Sequence, residues 1–419
     1  MTHSELHCHS NFSFLEGASH IEELVLRARE LGYEALALTD HDGLHGAMEF
    51  AQCARAWGLR PITGAEVTLA SGHHLTLLCE TQRGYANLCR LLTHAHLDHE
   101  RGEPRVEPDV LAQHTEGLIA LSGCRRGEVP SLITRGYYRE AEEAARRYLQ
   151  WFGPMNFFIE LQNNLVHGDA PRNRALADLA EHLGPSTGSG QAVGLVATGN
   201  VHYHVRERHR LQDVLVAIKN RTTLDASHRL RRENSEYHLK PPEEMAELFR
   251  PYGRASARDY PEAIANTIRI AERCQFDLTR DLDYRFPDYP VPEGETQESY
   301  LRKLCYREAE RRYGRRITPA VRDRLEEELA LVEHHGLAGF FLIHQEILQL
   351  AYRVAEEVKG RPCHSPPGRG RGSSVGSLIC YLIGLSHIDP IKNNLFLGRF
   401  LNEEMASVPD IDLDFPRDI

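Results

Sequence analysis

The sequence lacks a long hydrophobic run, a charged-then-apolar leader and paired cysteines, and each absence argues against a class of protein. Without about 20 consecutive apolar residues we expect no membrane-spanning helix, and without a leader we expect no secretion. The nine cysteines include no CxxC pair, which favours reduced thiols in the cytoplasm over a disulfide framework. The net charge of −11 argues against a surface that binds nucleic acid over its whole extent, so any DNA groove is local or supplied elsewhere.

Histidine, in contrast, is abundant, with 24 residues in a chain of 419. The first residues alternate in the manner of a strand, which places His7 and His9 on one face, where two imidazoles can share a metal ion. The chain then alternates apolar runs with amphipathic stretches, a βα rhythm typical of a barrel or a parallel sheet. We predict helices over 20–31, 45–57, 84–94, 137–150 and 170–183.

Side chains that can bind metal accompany most of the predicted strands. Because the ends of parallel strands meet at one edge of a βα fold, we expect these side chains to lie close together. For a single histidine, such as His20 or His94, a structural or surface role is the better interpretation. When several strands carry potential ligands at the same end, a shared metal site becomes the better interpretation. The residues so placed are His41, Glu66, Cys124 and His202 at strand ends, His74 at a strand start and Glu160 within a strand.

A second site is indicated at 409–415, where PDIDLDF alternates acidic and apolar residues. In a strand, this period of two places Asp410, Asp412 and Asp414 on one face and the apolar side chains on the other. Carboxylate oxygens in a row suit Mg²⁺. For an isolated DxDxD pattern, an acidic edge strand in water is the preferred interpretation.

The segment upstream, GRGRGSSVGS at 368–377, changes that preference. Its glycines free the backbone to curl amide groups around an anion, as in a triphosphate cradle. We predict that Ser373 or Ser374 caps the following helix, whose dipole would add to the cradle. A glycine-rich loop joined to a carboxylate strand predicts nucleotidyl transfer with two metal ions.

Four motifs carry a resemblance to a known family: GRGS at 370–373, HIDP at 387–390, FLN at 400–402 and PDIDLDF. In order and spacing they resemble the first half of the palm of bacterial C-family DNA polymerases, which comprise the polymerase III alpha subunits and their error-prone relatives.

The resemblance implies two catalytic carboxylates that hold Mg²⁺, two residues that face the incoming triphosphate and one further phosphate contact. Gly398 departs from the family, which usually has an acid at that position. The residues in these roles are Asp410 and Asp412 as the carboxylates, Gly372 and Ser373 at the triphosphate, and Arg399 as the further phosphate contact.

The histidine pattern resembles the PHP domain (polymerase and histidinol phosphatase), a distorted (β/α)7 barrel that begins many C-family polymerases and binds up to three metal ions. We expect Zn²⁺ or Mn²⁺, because first-row metals favour imidazole and thiolate. Glu16 stands where aspartate is usual, and Asn200 offers only an amide, so we expect one of the three metal positions to be weak. The implied ligands are His7, His9, Glu16, His41, Glu66, His74, Cys124 and His202.

The resemblance covers essentially the whole chain and divides it into a PHP domain at 1–280, a linker at 281–296 and the first part of a palm at 297–419. It implies an α/β fold, a distorted PHP barrel followed by an incomplete α+β palm. The predicted function is the N-terminal part of a DNA-directed DNA polymerase, replicative or error-prone. We expect this part to be inactive alone, because the family's third carboxylate, thumb and fingers lie further on.

The alternative function is a PHP phosphoesterase or 3′→5′ exonuclease, or a metal-stabilised structural module, beside an inert palm remnant. For the polymerase, the implied partners are primer–template DNA, deoxynucleoside triphosphates and the C-terminal half of the enzyme. A sliding clamp or other replication or mutagenesis proteins are expected as well, and a membrane is not.

Overall fold

The computed structural model describes residues 2–184, 193–250, 260–282, 288–314, 317–360, 369–405 and 409–415. The chain divides into two compact units, Met1–Asp283 and Tyr284–Ile419. Residues 283–287 of the predicted linker and the first residue of the glycine-rich segment, Gly368, lie outside the described ranges. Within those ranges, no helix combines the length and the apolar character that crossing a bilayer requires.

The N-terminal unit is built on a six-stranded sheet in which neighbours along the chain are also neighbours in space. The third strand runs antiparallel to both of its neighbours, and the other pairs are parallel. The strands are β1 (Ala35–Leu38), β2 (Arg60–Thr68), β3 (His74–Cys79), β4 (Leu118–Leu121), β5 (Phe157–Gln162) and β6 (Gly194–Thr198).

The N-terminal segment joins the two outer strands of this sheet. On one side, the Ala37 amide of β1 donates to the Glu5 carbonyl at 2.9 Å. On the other side, the His9 amide donates to the Val201 carbonyl at 2.8 Å, directly after β6. The segment therefore takes the place of a seventh strand, and the predicted distorted barrel of the α/β class is confirmed.

Ten helices surround the sheet in the described part of this unit, and the five helices predicted there are confirmed with boundary shifts of a few residues. The residues of β1, β3, β4 and β5 are buried throughout, as expected for strands that are covered on both faces. The helices are α1 (Ile21–Glu30), α2 (Ala47–Ala56), α3 (Gln82–Leu97), α4 (Pro108–Gln113), α5 (Glu128–Thr134), α6 (Tyr138–Phe152), α7 (Asp169–Leu183), α8 (His209–Lys219), α9 (Pro242–Leu248) and α10 (Pro261–Arg273).

The C-terminal unit consists of helices and one small antiparallel sheet. Threonine side chains begin its first two helices, because Thr296 and Thr318 each accept a hydrogen bond from a first-turn amide. The elements are α11 (Gln297–Tyr313), α12 (Pro319–His334), α13 (Ala338–Lys359), β7 (Arg369–Arg371), α14 (Leu378–Leu382) and β8 (Asp412–Asp414). Strand β7 pairs with β8.

Two local predictions for this unit are wrong. The residue that caps α14 is Ser377, whose Oγ accepts from the Cys380 amide at 3.1 Å, and not Ser373 or Ser374. Ser374 instead donates its hydroxyl to the Arg371 carbonyl within the preceding turn. The apolar face of PDIDLDF is also shorter than predicted, because Ile411 is buried whereas Phe415 is 42% exposed.

Candidate functional site

Five of the predicted metal ligands meet at one edge of the barrel. His7 and His9 come from the N-terminal segment, His41 follows β1, and Glu66 lies on β2. His74 joins them because β3 is antiparallel: the register pairs Thr68 with His74, so the start of β3 lies where β2 ends. The fold thus brings a strand start and the neighbouring strand ends to the same place.

The Glu66 carboxylate lies at the centre of this cluster. Its Oε2 is 3.0 Å from Nδ1 of His41 and 3.0 Å from Nδ1 of His74. His7 Nε2 lies 3.3 Å from Oε1 of Glu66, and His9 Nε2 lies 3.7 Å from Oε2. One buried carboxylate therefore faces four imidazoles.

Several polar atoms of the cluster are buried without a hydrogen-bond partner, namely Nε2 of His7, Nε2 of His9 and Oε1 of Glu66. Unpartnered buried polar atoms are costly, and these converge on one another. Two groups, His7 with His9 and Glu66, and His41 with Glu66 and His74, each hold their ligand atoms within 4.8 Å. Imidazole nitrogen with one carboxylate is a donor set that fits Zn²⁺ or Mn²⁺.

Glu160 orients His7 from behind. Its Oε1 is 2.7 Å from His7 Nδ1, so that nitrogen donates to the carboxylate and Nε2 is left for a metal. Gln162 donates to the same Oε1 at 2.7 Å, which fixes the carboxylate. The sequence placed Glu160 within a strand, and the structure gives it this supporting position.

Asp40 is a supporting residue that the sequence analysis did not single out. It accepts hydrogen bonds from the Ser10 amide at 2.7 Å and from the Ser13 hydroxyl at 2.6 Å. The Ser13 oxygen lies 3.1 Å from His9 Nδ1, so Asp40 fixes the loop that orients His9. An acid immediately before His41 was the available signal.

Without metal, the carboxylates set the protonation of the cluster. Burial lowers the pKa of His7, but Glu160 and Glu66 outweigh it and raise the pKa to about 10. Burial likewise lowers the pKa of His41, but Glu66 and Glu16 outweigh burial and raise the pKa to about 10. Burial and the neighbouring imidazoles hold the pKa of His9 well below its usual value. Metal binding at His7 and His41 therefore displaces protons, whereas His9 is already neutral.

Cys124 lies at the edge of the cluster. Its Sγ is 4.0 Å from His74 Nδ1 and accepts from the Arg126 amide at 3.4 Å. Burial holds the pKa of the thiol well above its usual value. Among the residues that the structure describes, Cys124 is not part of a close ligand group.

The outer side of the cluster is formed by His202 and Glu16. His202 forms a close group with His9 and His41. Its Nδ1 is 2.8 Å from the Asn200 carbonyl, and its Nε2 contacts the Arg232 guanidinium. Glu16 Oε2 is 2.9 Å from His41 Nε2, and Glu16 Oε1 contacts Lys219 Nζ.

A cavity of about 340 Å³ opens onto these ligands. Six basic side chains line it against the acidic Glu16, Glu66 and Asp169, an excess of positive charge that suits an anion next to the predicted metal ligands. The basic residues that line it are Arg125, Arg126, Arg172, Lys219, Arg231 and Arg232.

In the C-terminal unit, β7 and β8 bring the glycine-rich segment next to the carboxylate strand. The register pairs Arg371 with Asp412. Gly372 directly follows Arg371 and has a left-handed φ of 71°. Gly372 and Ser373 are exposed at the turn that follows.

The three aspartates are exposed, and Asp414 forms an ion pair with Arg371. Among the described residues, Asp410, Asp412 and Asp414 do not form a close three-ligand group. Arg399 is exposed in the turn before Phe400.

The start of α14 does not serve the predicted triphosphate cradle. The buried Glu328 carboxylate accepts from the Leu378 amide at 2.8 Å and the Ile379 amide at 3.0 Å. The Ser377 hydroxyl donates to Glu328 at 2.7 Å. These amides are therefore occupied from within the unit.

Comparisons with known proteins agree with this architecture. The PHP domain family matches residues 5–164, and the family described as bacterial DNA polymerase III alpha NTPase domain matches residues 299–418. An error-prone DNA polymerase from Symbiobacterium thermophilum is 43% identical over 99% of this chain and 37% of the relative. DNA polymerase III subunit alpha from Treponema pallidum is 36% identical over 99% of this chain and 34% of the relative.

The chain belongs to the bacterial C-family DNA polymerases. It matches their PHP domain and the beginning of their polymerase region. The chain spans about a third of the length of the curated relatives it matches. The residues around Glu66 thus lie in the region that matches the PHP domain, and the glycine turn with its carboxylate strand lies in the region that matches polymerase III alpha.

Proposed function

We propose that this chain supplies the PHP domain and the first part of the palm of a DNA-directed DNA polymerase. The observation that carries the proposal is the pairing of β7 with β8, in which Arg371, directly before Gly372, pairs with Asp412, two residues after Asp410. A glycine turn next to exposed carboxylates is the juxtaposition that triphosphate and metal binding require.

In this proposal Asp410 and Asp412 are the ligands that hold Mg²⁺. When bound, two such ions activate the primer hydroxyl and stabilise the leaving group. The exposed amides of the turn at Gly372 and Ser373 bind triphosphate oxygens, and the Arg399 guanidinium balances phosphate charge. Because Asp414 forms an ion pair with Arg371, we assign it a structural role and not a catalytic one.

In this proposal the polymerase is either a replicative or an error-prone member. One error-prone relative is 43% identical, but two others, at 37% and 36%, are about as similar to this chain as a polymerase III alpha subunit at 36%. In this proposal primer–template DNA and deoxynucleoside triphosphates are the substrates, and a C-terminal half supplies the grip on the duplex. Clamp or mutagenesis proteins are partners of the complete enzyme.

Primer extension tests this function. The purified chain is mixed with a primer–template and all four deoxynucleoside triphosphates, with and without the C-terminal half of a homologous C-family polymerase. We expect no product from the chain alone and extension with the added half. Absence of extension in the mixture, with both parts folded, would contradict the proposal.

A second function is favoured by the metal cluster and its basic cavity: hydrolysis of phosphate esters, including DNA 3′ ends, in the PHP domain. Imidazoles around Glu66 provide the metal positions, and arginines such as Arg125 and Arg172 provide contacts for the phosphate. The test is release of nucleotides from a 3′ end in Mn²⁺. Release that His7→Ala leaves unchanged would exclude this site.

A further inference from the structure

Two basic side chains reach the outer side of the metal cluster, where His202 and Glu16 lie. The Arg232 guanidinium contacts Nε2 of His202, and Lys219 Nζ contacts the Glu16 carboxylate. Both His202 and Glu16 are ligands that the family resemblance implies. Each of them is therefore already engaged by a cation that belongs to the chain.

The contact with Arg232 uses the nitrogen that a metal would need. His202 Nδ1 lies 2.8 Å from the Asn200 carbonyl, which can only accept, so Nδ1 carries the proton. The lone pair of the neutral ring is then on Nε2. A guanidinium has only donors, so its contact with Nε2 occupies that lone pair. One nitrogen cannot accept from arginine and bind a metal at the same time.

Arg232 is held in place by its surroundings. Its guanidinium carbon lies 4.2 Å from the centre of the Tyr237 ring, and Tyr237 is buried. The Arg232 guanidinium is thus stacked on Tyr237 and contacts the imidazole of His202.

The charges at this position also disfavour a metal ion. Asn200 is neutral, has a left-handed φ of 49°, and its buried Oδ1 has no hydrogen-bond partner. Glu16 is the carboxylate at this side, and Lys219 already neutralises it. A divalent ion placed between His9, His41 and His202 would face Arg232, and the remaining carboxylate beside His9 and His41, that of Glu66, already belongs to the two inner groups.

We propose that Arg232 and Lys219 take the place of an outer metal ion, so that metals bind only at the two groups centred on Glu66. His202 and Glu16 then hold these side chains instead of a metal. The basic pair presents a fixed positive charge to an anion in the cavity. This inference rests on the proposed metal binding at Glu66.

Metal content of the full chain, measured by elemental analysis after loading with Zn²⁺ or Mn²⁺ and removal of free metal, tests the inference. His202→Gln in the natural chain should leave the number of metal ions per chain unchanged. Asn200→Asp combined with Arg232→Gln should bind one additional ion per chain, which His202→Gln then removes. Loss of one ion from the natural chain on His202→Gln would overturn the inference, as would no gain in the double variant.

Matched controls separate charge at this position from general effects. Arg232→Lys with Asn200→Asp keeps a cation and should gain no metal. Arg231→Gln with Asn200→Asp removes a neighbouring guanidinium that pairs with Asp213 at 2.9 Å, and it should gain none either. Circular dichroism verifies folding, and if the double variant does not fold, His202→Gln in the natural chain decides alone. Failure of metal binding at Glu66 is recognised separately, because the natural chain would then load no metal.

Discussion

The Glu66 carboxylate lies 3.0 Å from Nδ1 of His74, although the two residues belong to strands that run in opposite directions. This contact joins the start of the reversed strand β3 to Glu66 on β2 and, through Glu66, to His41 after β1. It makes Glu66 the common member of two close ligand groups. The predictions for the N-terminal unit follow largely from this arrangement.

The first prediction concerns metal content. Protein purified without chelator should carry Zn²⁺ or Mn²⁺, since imidazole favours first-row metals over Mg²⁺. His7→Ala combined with His9→Ala should lower the content, because both rings face Glu66. Elemental analysis measures it, with His20→Ala, an exposed histidine, as the control. Less than one ion per chain, unchanged by the double substitution, would rule out the centre.

The second prediction concerns Glu160. Glu160→Gln should weaken metal affinity about 10- to 100-fold, because the carboxylate no longer fixes the ring of His7. Competition with a chromogenic chelator gives the affinity. Glu143→Gln, on an exposed helix face, should leave it unchanged. Equal affinities for all three proteins would show that Glu160 does not act through His7.

The third prediction concerns Glu328, which holds the start of α14. Glu328→Ala leaves the buried amides of Leu378 and Ile379 without their acceptor and removes the carboxylate that pairs with Arg324. We expect this to cost about 3–5 kcal/mol, as for breaking a buried ion pair. Hydrogen exchange at the α14 amides should accelerate at least 100-fold, since each tenfold step corresponds to about 1.4 kcal/mol. Glu327→Ala, one residue earlier and exposed, is the control, and equal exchange in both variants would contradict the assignment.

The fourth prediction is a pH dependence from His238. Burial and Lys240 lower the pKa of this ring to about 4, so its neutral form is favoured in the folded chain. The stabilisation is present above the unfolded pKa of about 6.5 and is lost as pH falls towards about 4, at most about 1.4 kcal/mol per pH unit. His238→Gln should therefore lose less stability than the natural chain between these pH values. Urea unfolding measures it, and parallel losses in the two proteins would refute the prediction.

The sequence predicted which side chains meet around Glu66, because alternation and strand ends are local features. The helices were predicted from their periodicity for the same reason. The reversal of β3 was not predicted, since a short apolar run has the same pattern in either direction. His74 was nevertheless placed correctly at a strand start.

Contacts between distant residues were the part that sequence reasoning missed. Glu328 lies 50 residues before the Leu378 amide that it binds, and nothing in the helix pattern of α12 marks it. Arg232 stacks on Tyr237 and reaches His202, and nothing in the basic run at 229–232 marks that contact. Such pairings depend on the tertiary fold, which composition and spacing do not encode.

The most direct test of the polymerase assignment is primer extension by chains that differ at a single aspartate, each combined with the same homologous C-terminal half. Asp410→Ala and Asp412→Ala should abolish extension, because these carboxylates are proposed to hold the catalytic ions. Asp414→Ala, on the same strand but paired with Arg371, should retain it. Extension that survives both Asp410→Ala and Asp412→Ala would contradict the account, as would template-directed extension by residues 1–419 alone.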